Sequence, residues 1–263
     1  MTETAALYAP ADRTGRSPYS KVPQVAAIFW VVKILTTGMG ETTSDFLAHN
    51  IDPPVAVLIG FAGLVAALAL QLAAPRYNAW IYWLAVVMVS VFGTMAADVL
   101  HVGLGVPYVV STPFFAAALA VILWLWHRTE GTLAIHSIRS RRREVFYWAT
   151  VLATFALGTA AGDMTATSLH LGYLDSGVLF AALIVLPALA YWQFGLPEVP
   201  AFWTAYILTR PLGASFADWM GVNHERGGLD WGTGPVSLGL FVLILLFVGY
   251  LARTRADVEP ERP

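Results

Sequence analysis

The sequence contains no cysteine. That excludes disulfides and thiolate metal sites, and leaves the compartment open. Charge is scarce as well. Only 12% of the 263 residues are charged, against about 25% in an ordinary soluble domain. The first twenty residues carry no apolar h-region, so no cleaved signal peptide is expected. There is no Walker loop, no G-x-G-x-x-G, no G-x-S-x-G and no paired-histidine metalloprotease motif. No nucleophile–base pair stands out, so no enzymatic activity is expected, and nothing points to nucleic acid.

What remains is oil. Hydrophobic residues make up 57% of the chain, and the mean hydropathy is +0.64. Runs such as Val55 to Leu72, Phe114 to Trp126 and Leu238 to Leu251 approach or reach bilayer-spanning length. Eight spans are expected, at 24–48, 55–73, 79–101, 107–127, 143–168, 175–193, 199–220 and 235–252. Proline, glycine and charge punctuate the gaps. Helices satisfy their own backbone in lipid, and the runs lack the alternation of barrel strands. The reading is an all-α integral membrane protein.

An even number of spans puts both chain ends on one side. Lys21, Arg76, Arg128, Arg139, Arg141 to Arg143, Arg253 and Arg255 fall there, whereas the opposite loops hold Arg226. The positive-inside rule makes that side cytoplasmic. The expected layout is a cytoplasmic tail at 1–23, a first half at 24–127, a basic linker at 128–142, a second half at 143–252, and a cytoplasmic tail at 253–263.

Four segments align without a gap: "WVVKILTTGMGETTSD" (30–45), "WLAVVMVSVFGTMAAD" (83–98), "WATVLATFALGTAAGD" (148–163) and "WTAYILTRPLGASFAD" (203–218). Each reads W-x9-G-x4-D. Each repeat holds two spans, so the four motif helices run parallel and set Asp45, Asp98, Asp163 and Asp218 at one depth. Gly40, Gly93, Gly158 and Gly213 share another level, suited to close helix packing. Trp30, Trp83, Trp148 and Trp203 serve as interfacial or packing anchors. The expected architecture is an inner bundle of four parallel motif helices, with the four plainer helices outside.

Polar residues line up along the motif helices. Lys33, Thr37, Glu41, Asp45 and His49 fall at steps of four, as do Ser90, Thr94 and Asp98. Thr159 precedes Asp163, and Arg210 precedes Asp218. Five carboxyls around one axis cannot all stay ionised without compensation. Lys33 and Arg210 can tune the charge by pairing, protons can be shared, or a cation can sit among the acids. Thr94 and Thr159 match Glu41 in repeat position and would add oxygen ligands. A histidine follows each motif Asp, at His49, His101, His170 and His224. The set could ligate metal or accept protons at the outer mouth, or simply sit at the interface.

The fourfold W, G and D pattern in two-helix units resembles a bacterial family of uncharacterised membrane proteins built from a "repeat of unknown function". The resemblance runs from about Val22 to Leu251 and implies a bacterial integral membrane protein, with no activity to transfer. The fourth repeat departs from the others at Arg210-Pro211 and Ala214.

The residues themselves suggest a bacterial inner-membrane transporter for a divalent cation, with Mn²⁺ a candidate substrate and proton-coupled efflux the mechanism. One half would rock against the other. Two rivals stand beside it: a passive cation channel with a carboxylate ring, and a non-transporting scaffold or sensor whose acids serve only assembly, for instance as helix caps. The expected partners are the lipid bilayer, the cation and the proton, with no tightly bound cofactor and homo-oligomerisation left open.

Overall fold

The computed structural model describes residues 20–258. The first nineteen residues of the expected tail at 1–23, and the last five of that at 253–263, lie outside them. Eight long helices follow one another: α1 (Ala27–Asn50), α2 (Pro53–Ala73), α3 (Ala79–Asp98), α4 (Tyr108–Glu130), α5 (Arg141–Asp163), α6 (Gly172–Phe194), α7 (Glu198–Gly221) and α8 (Thr233–Thr254). No strand occurs among the described residues.

Local chemistry sets the helix ends. Pro53 and Pro54 open α2, where a missing N–H costs nothing. Asn78 and Ser140 cap α3 and α5 by accepting from Ile81 N and Arg143 N. Gly131 and Gly195 close α4 and α6 at φ of 71° and 68°, conformations that favour glycine.

The motif helices form a closed ring. α1 packs on α3, α3 on α5, α5 on α7, and α7 back on α1. Each plain helix packs mainly on the motif helix of the following repeat: α2 on α3, α4 on α5, and α6 on α7. α8 completes the cycle on α1. This is a pseudo-fourfold bundle in which the last helix latches onto the first. The latch includes a Thr43–Ser237 hydroxyl pair and the close seat of Gly234 on Phe46.

Six helices are long and apolar enough to cross a membrane: α2, α3, α4, α5, α6 and α8. The chain thus has the character of a multi-pass helical membrane protein. α1 and α7, each 24 residues long, carry the heaviest polar load, including Lys33, Glu41, Asp45, Arg210 and Asp218. Those side chains face the bundle axis. The outer helices expose large apolar residues such as Leu58, Phe114, Leu186 and Leu246, which is what a lipid-facing layer requires.

At the end of the bundle that holds residues 20–26 and 255–258, the chain ties itself down. Lys21 N bonds Ile138 O, Tyr77 N bonds Ser20 O, and Gln24 N bonds Asp257 O. Lys21 Nζ donates to Glu144 Oε2 at 2.5 Å and to Leu72 O at 3.1 Å. Gln71 Nε2 donates to the other Glu144 oxygen at 2.9 Å. Glu144 is fully buried. Lys21, read from sequence only as a topology charge, is half of a buried ion pair.

Candidate functional site

The axis is best followed layer by layer, starting near the chain ends. The residue before each motif Trp is aromatic, and it packs on the Trp of the next repeat. Phe29 meets Trp83 (5.7 Å between ring centroids), Tyr82 meets Trp148 (5.6 Å), Tyr147 meets Trp203 (6.2 Å) and Phe202 meets Trp30 (5.6 Å). Trp83, Trp148 and Trp203 are buried. The four tryptophans are therefore packing residues in an aromatic plug. The aromatic position beside them is visible in the aligned repeats and was missed there.

The glycine layer obeys the same cyclic rule. Each motif Gly receives the side chain that stands three residues before the Gly of the next repeat. Ser90 presses on Gly40, Phe155 on Gly93, Arg210 on Gly158 and Thr37 on Gly213. A methyl group at any of the four glycines would overlap its visitor. The glycines are a consequence of packing density at the axis.

Arg210 departs from this pattern in a useful way. Its equivalents Thr37 and Ser90 are short, and Phe155 is apolar. At the next position outward, three repeats carry Glu41, Thr94 and Thr159, and the fourth carries Ala214. Ala214 leaves room, and the fully buried guanidinium enters. Arg210 Nη2 donates to Glu41 Oε2, to Thr94 Oγ1 and, at 2.7 Å, to Thr159 Oγ1. Nη1 donates to Thr37 O at 3.4 Å. The two threonine hydroxyls donate back to Ser90 O and Phe155 O, each 3.1 Å away. That leaves their lone pairs free for the guanidinium. The residues aligned with Glu41 thus converge, as expected, but around an arginine of the protein itself.

One turn further along the axis lie the aspartates. Ligand oxygens of Glu41, Asp163 and Asp218 fall within 4.8 Å of one another. Asp218 is 5% exposed, and its Oδ1 is buried without a hydrogen-bond partner. Asp45 and Asp98 are half-buried. Asp98 is close enough to Glu41, Asp163 and Asp45 for their charges to interact. Asp98 and Asp163 each precede a π-helical turn, Val99–Gly103 and Met164–Ser168, without capping it through the side chain. The capping role considered from sequence does not hold for these two. π turns recur at functional sites. Here they follow the acid in repeats two and three, whereas α1 and α7 stay α-helical past theirs.

The mouth beyond the acids is dressed by the outer helices. Tyr108, at the start of α4, stands near Asp163. Arg226, in the loop before α8, donates to the Tyr173 hydroxyl.

Two sequence expectations need correction. Lys33 neither pairs with an acid nor reaches an interface. It is 1% exposed, and its Nζ lies over the rings of Phe155 (4.1 Å) and Tyr206 (4.4 Å) with no hydrogen-bond partner. The histidines do not gather into a metal or proton ring. His49 Nδ1 is bonded to Asp45 O, His101 Nδ1 to Val106 O and His224 Nδ1 to Gly228 O. His170 is exposed, at φ of 57°. No histidine joins the convergent carboxylates among the described residues. The reason is geometric: steps of four drift about 40° each on a 3.6-residue helix. A stripe that buries Lys33 and Glu41 has turned outward by His49.

Comparison with known proteins agrees with these boundaries. The family model described as Repeat of Unknown Function (DUF347) matches four times, at residues 28–77, 81–132, 146–195 and 201–257. Each match spans one motif helix and the plain helix after it. No curated protein and no solved structure matches. Four matches in register, covering most of the chain, place it in the family built from that repeat of unknown function.

Proposed function

We propose that the protein is a carrier for a hard divalent cation, with Mn²⁺ as a substrate and protons as the counter-ion. In this reading all eight helices cross the bacterial inner membrane. Both chain ends are cytoplasmic, and the carboxylate mouth faces outward.

The observation that carries the proposal is the convergence of Glu41, Asp163 and Asp218 within 4.8 Å, with an unpartnered buried oxygen on Asp218. A buried carboxylate oxygen without a donor is costly, and a cation or a proton relieves it. Arg210 is already engaged by Glu41 and the two threonines. The ligands are oxygens throughout, and the histidines stand apart. That donor set suits Mn²⁺, Mg²⁺ or Ca²⁺ rather than Zn²⁺. Exchange follows from competition between cation and protons for the same oxygens.

The aromatic plug and Arg210 close the axis on the cytoplasmic side, which favours a carrier over a continuous pore. The two halves meet along α3–α5 and α7–α1 at the axis, and along α4–α5 and α8–α1 outside it. Arg210 bridges that seam, holding Glu41 and Thr94 of one half beside Thr159 of the other. Movement at the seam would open the site inward.

Flux in proteoliposomes tests the reading. The wild type is expected to move Mn²⁺ in response to a pH gradient. At least two of Asp45→Asn, Asp98→Asn, Asp163→Asn and Asp218→Asn should abolish that flux in folded protein. No flux for any cation of a panel, or full flux in all four variants, would overturn it.

A further inference from the structure

The end of the bundle nearest the chain ends is closed twice. The aromatic plug fills the axis. Against it runs a strap without helix, residues 20–26, joined by the turn at 255–258. Val22 of the strap is 3% exposed and belongs to the same apolar cluster as Trp83, Tyr147 and Trp203. Lys21 beside it gathers four elements. Its Nζ donates to Leu72 O at the end of α2 and to Glu144 on α5. Its N–H donates to Ile138 O in the linker, and its carbonyl accepts from Gln71 Nε2 at 3.2 Å. Gln71 also holds Glu144. A second tie runs from Tyr77, in the loop between α2 and α3, to Asp257 after α8. Gln24 N donates to Asp257 O. Each tie joins the first half of the chain to the second.

A buried ion pair is a poor glue. Its attraction roughly offsets the cost of drying both charges, yet losing one partner alone is costly. Such a pair is stable either whole and dry or apart and wet, which is the behaviour of a latch. The strap can lift into water without unwinding a helix. At the other end of the axis Asp45 and Asp98 are half-buried, so the acids are approached from that side here. A carrier must also reach them from the strap side.

We propose that the strap is the inner gate of the carrier. Lys21, Gln71 and Glu144, with Tyr77 and Asp257, hold the plug shut while the acids face outward, and the strap lifts when the site turns inward. This rests on the carrier reading and names what locks its closed end.

The absence of cysteine makes the gate measurable by thiol labelling. One turn past the motif tryptophans, between the plug and Arg210, lie Lys33, Val86, Val151 and Tyr206, each at most 1% exposed. Val86→Cys puts a thiol in that layer, and Asp45→Cys puts one among the outer acids. A water-soluble maleimide is added to protein in nanodiscs, which leave both faces open to it. Breaking the latch with Glu144→Gln should speed labelling at Val86→Cys about ten-fold or more and slow it at Asp45→Cys, as a shift between two states requires. General loosening would speed both. If Glu144→Gln does not fold, Tyr77→Phe removes a single hydroxyl and should move the two rates in the same opposite directions by a smaller factor. Unchanged rates, or a rise at both positions, in folded protein overturn the inference and leave the carboxylate site standing. If the wild type moves no cation at all, the carrier reading falls and the gate with it.

Discussion

Arg210 in α7 donates from Nη2 to Glu41 in α1, and the bond joins the last motif helix to the first across 169 residues of chain. Both side chains are buried. Such a pair is costly to break from one side, because the surviving charge stays in place without its partner.

The pair can be tested by a double-mutant cycle. Arg210→Met and Glu41→Gln should each destabilise the protein, the former by about 3–5 kcal/mol. The double variant should recover a substantial part of the loss. Thermal unfolding in detergent reads the three values, and simple additivity would contradict the pairing.

The cyclic packing rule predicts a contrast between two glycines. At Gly158 an added methyl meets the stem of Arg210, whereas at Gly239 in α8 it meets open space. Gly158→Ala should cost about 1–3 kcal/mol or more through overpacking. Gly239→Ala should be neutral or slightly stabilising through helix propensity. Equal unfolding temperatures for the two variants would contradict the ring.

Much of this arrangement is legible in the sequence, and the missing part has a physical cause. The W-x9-G-x4-D spacing fixes which residues share a level, so the carboxylate layer, the glycine layer and the equivalence of Glu41, Thr94 and Thr159 all follow from it. Spacing along one helix does not say which neighbour a side chain enters. Hence the insertion of Arg210 against Gly158, and of Phe155 against Gly93, was invisible, although both stand three residues before their own Gly. The same gap misplaced Lys33. Its step of four from Glu41 suggested pairing, but the aromatic pocket that receives it comes from α5 and α7. The histidines were grouped by order along the chain alone; the rings of His49, His101 and His224 are each held by a carbonyl a few residues away, and His170 is exposed.

A pH effect is expected where the chain ends dock. Burial raises the Asp257 carboxyl above its ordinary value, more than its bond from Tyr77 lowers it. A group raised in the folded state contributes stability below its unfolded value and loses it as pH rises through the folded one. The docked segment should therefore loosen as pH is raised from the acid side. The absence of cysteine permits a single spin label at Val258→Cys. Its mobility should rise with pH in that background and become flat when Asp257→Asn is added. An unchanged profile in the double variant would contradict the assignment.

The central claim is that Glu41, Asp163 and Asp218 share one cation. Titration of purified protein with Mn²⁺, followed by the electron paramagnetic resonance of the free ion, measures it directly. The account predicts saturable binding in the wild type, weakened about 10- to 100-fold by Asp218→Asn as one charge-assisted ligand is lost. Binding that is absent in the wild type, or untouched in Asp218→Asn and Asp163→Asn alike, would contradict it.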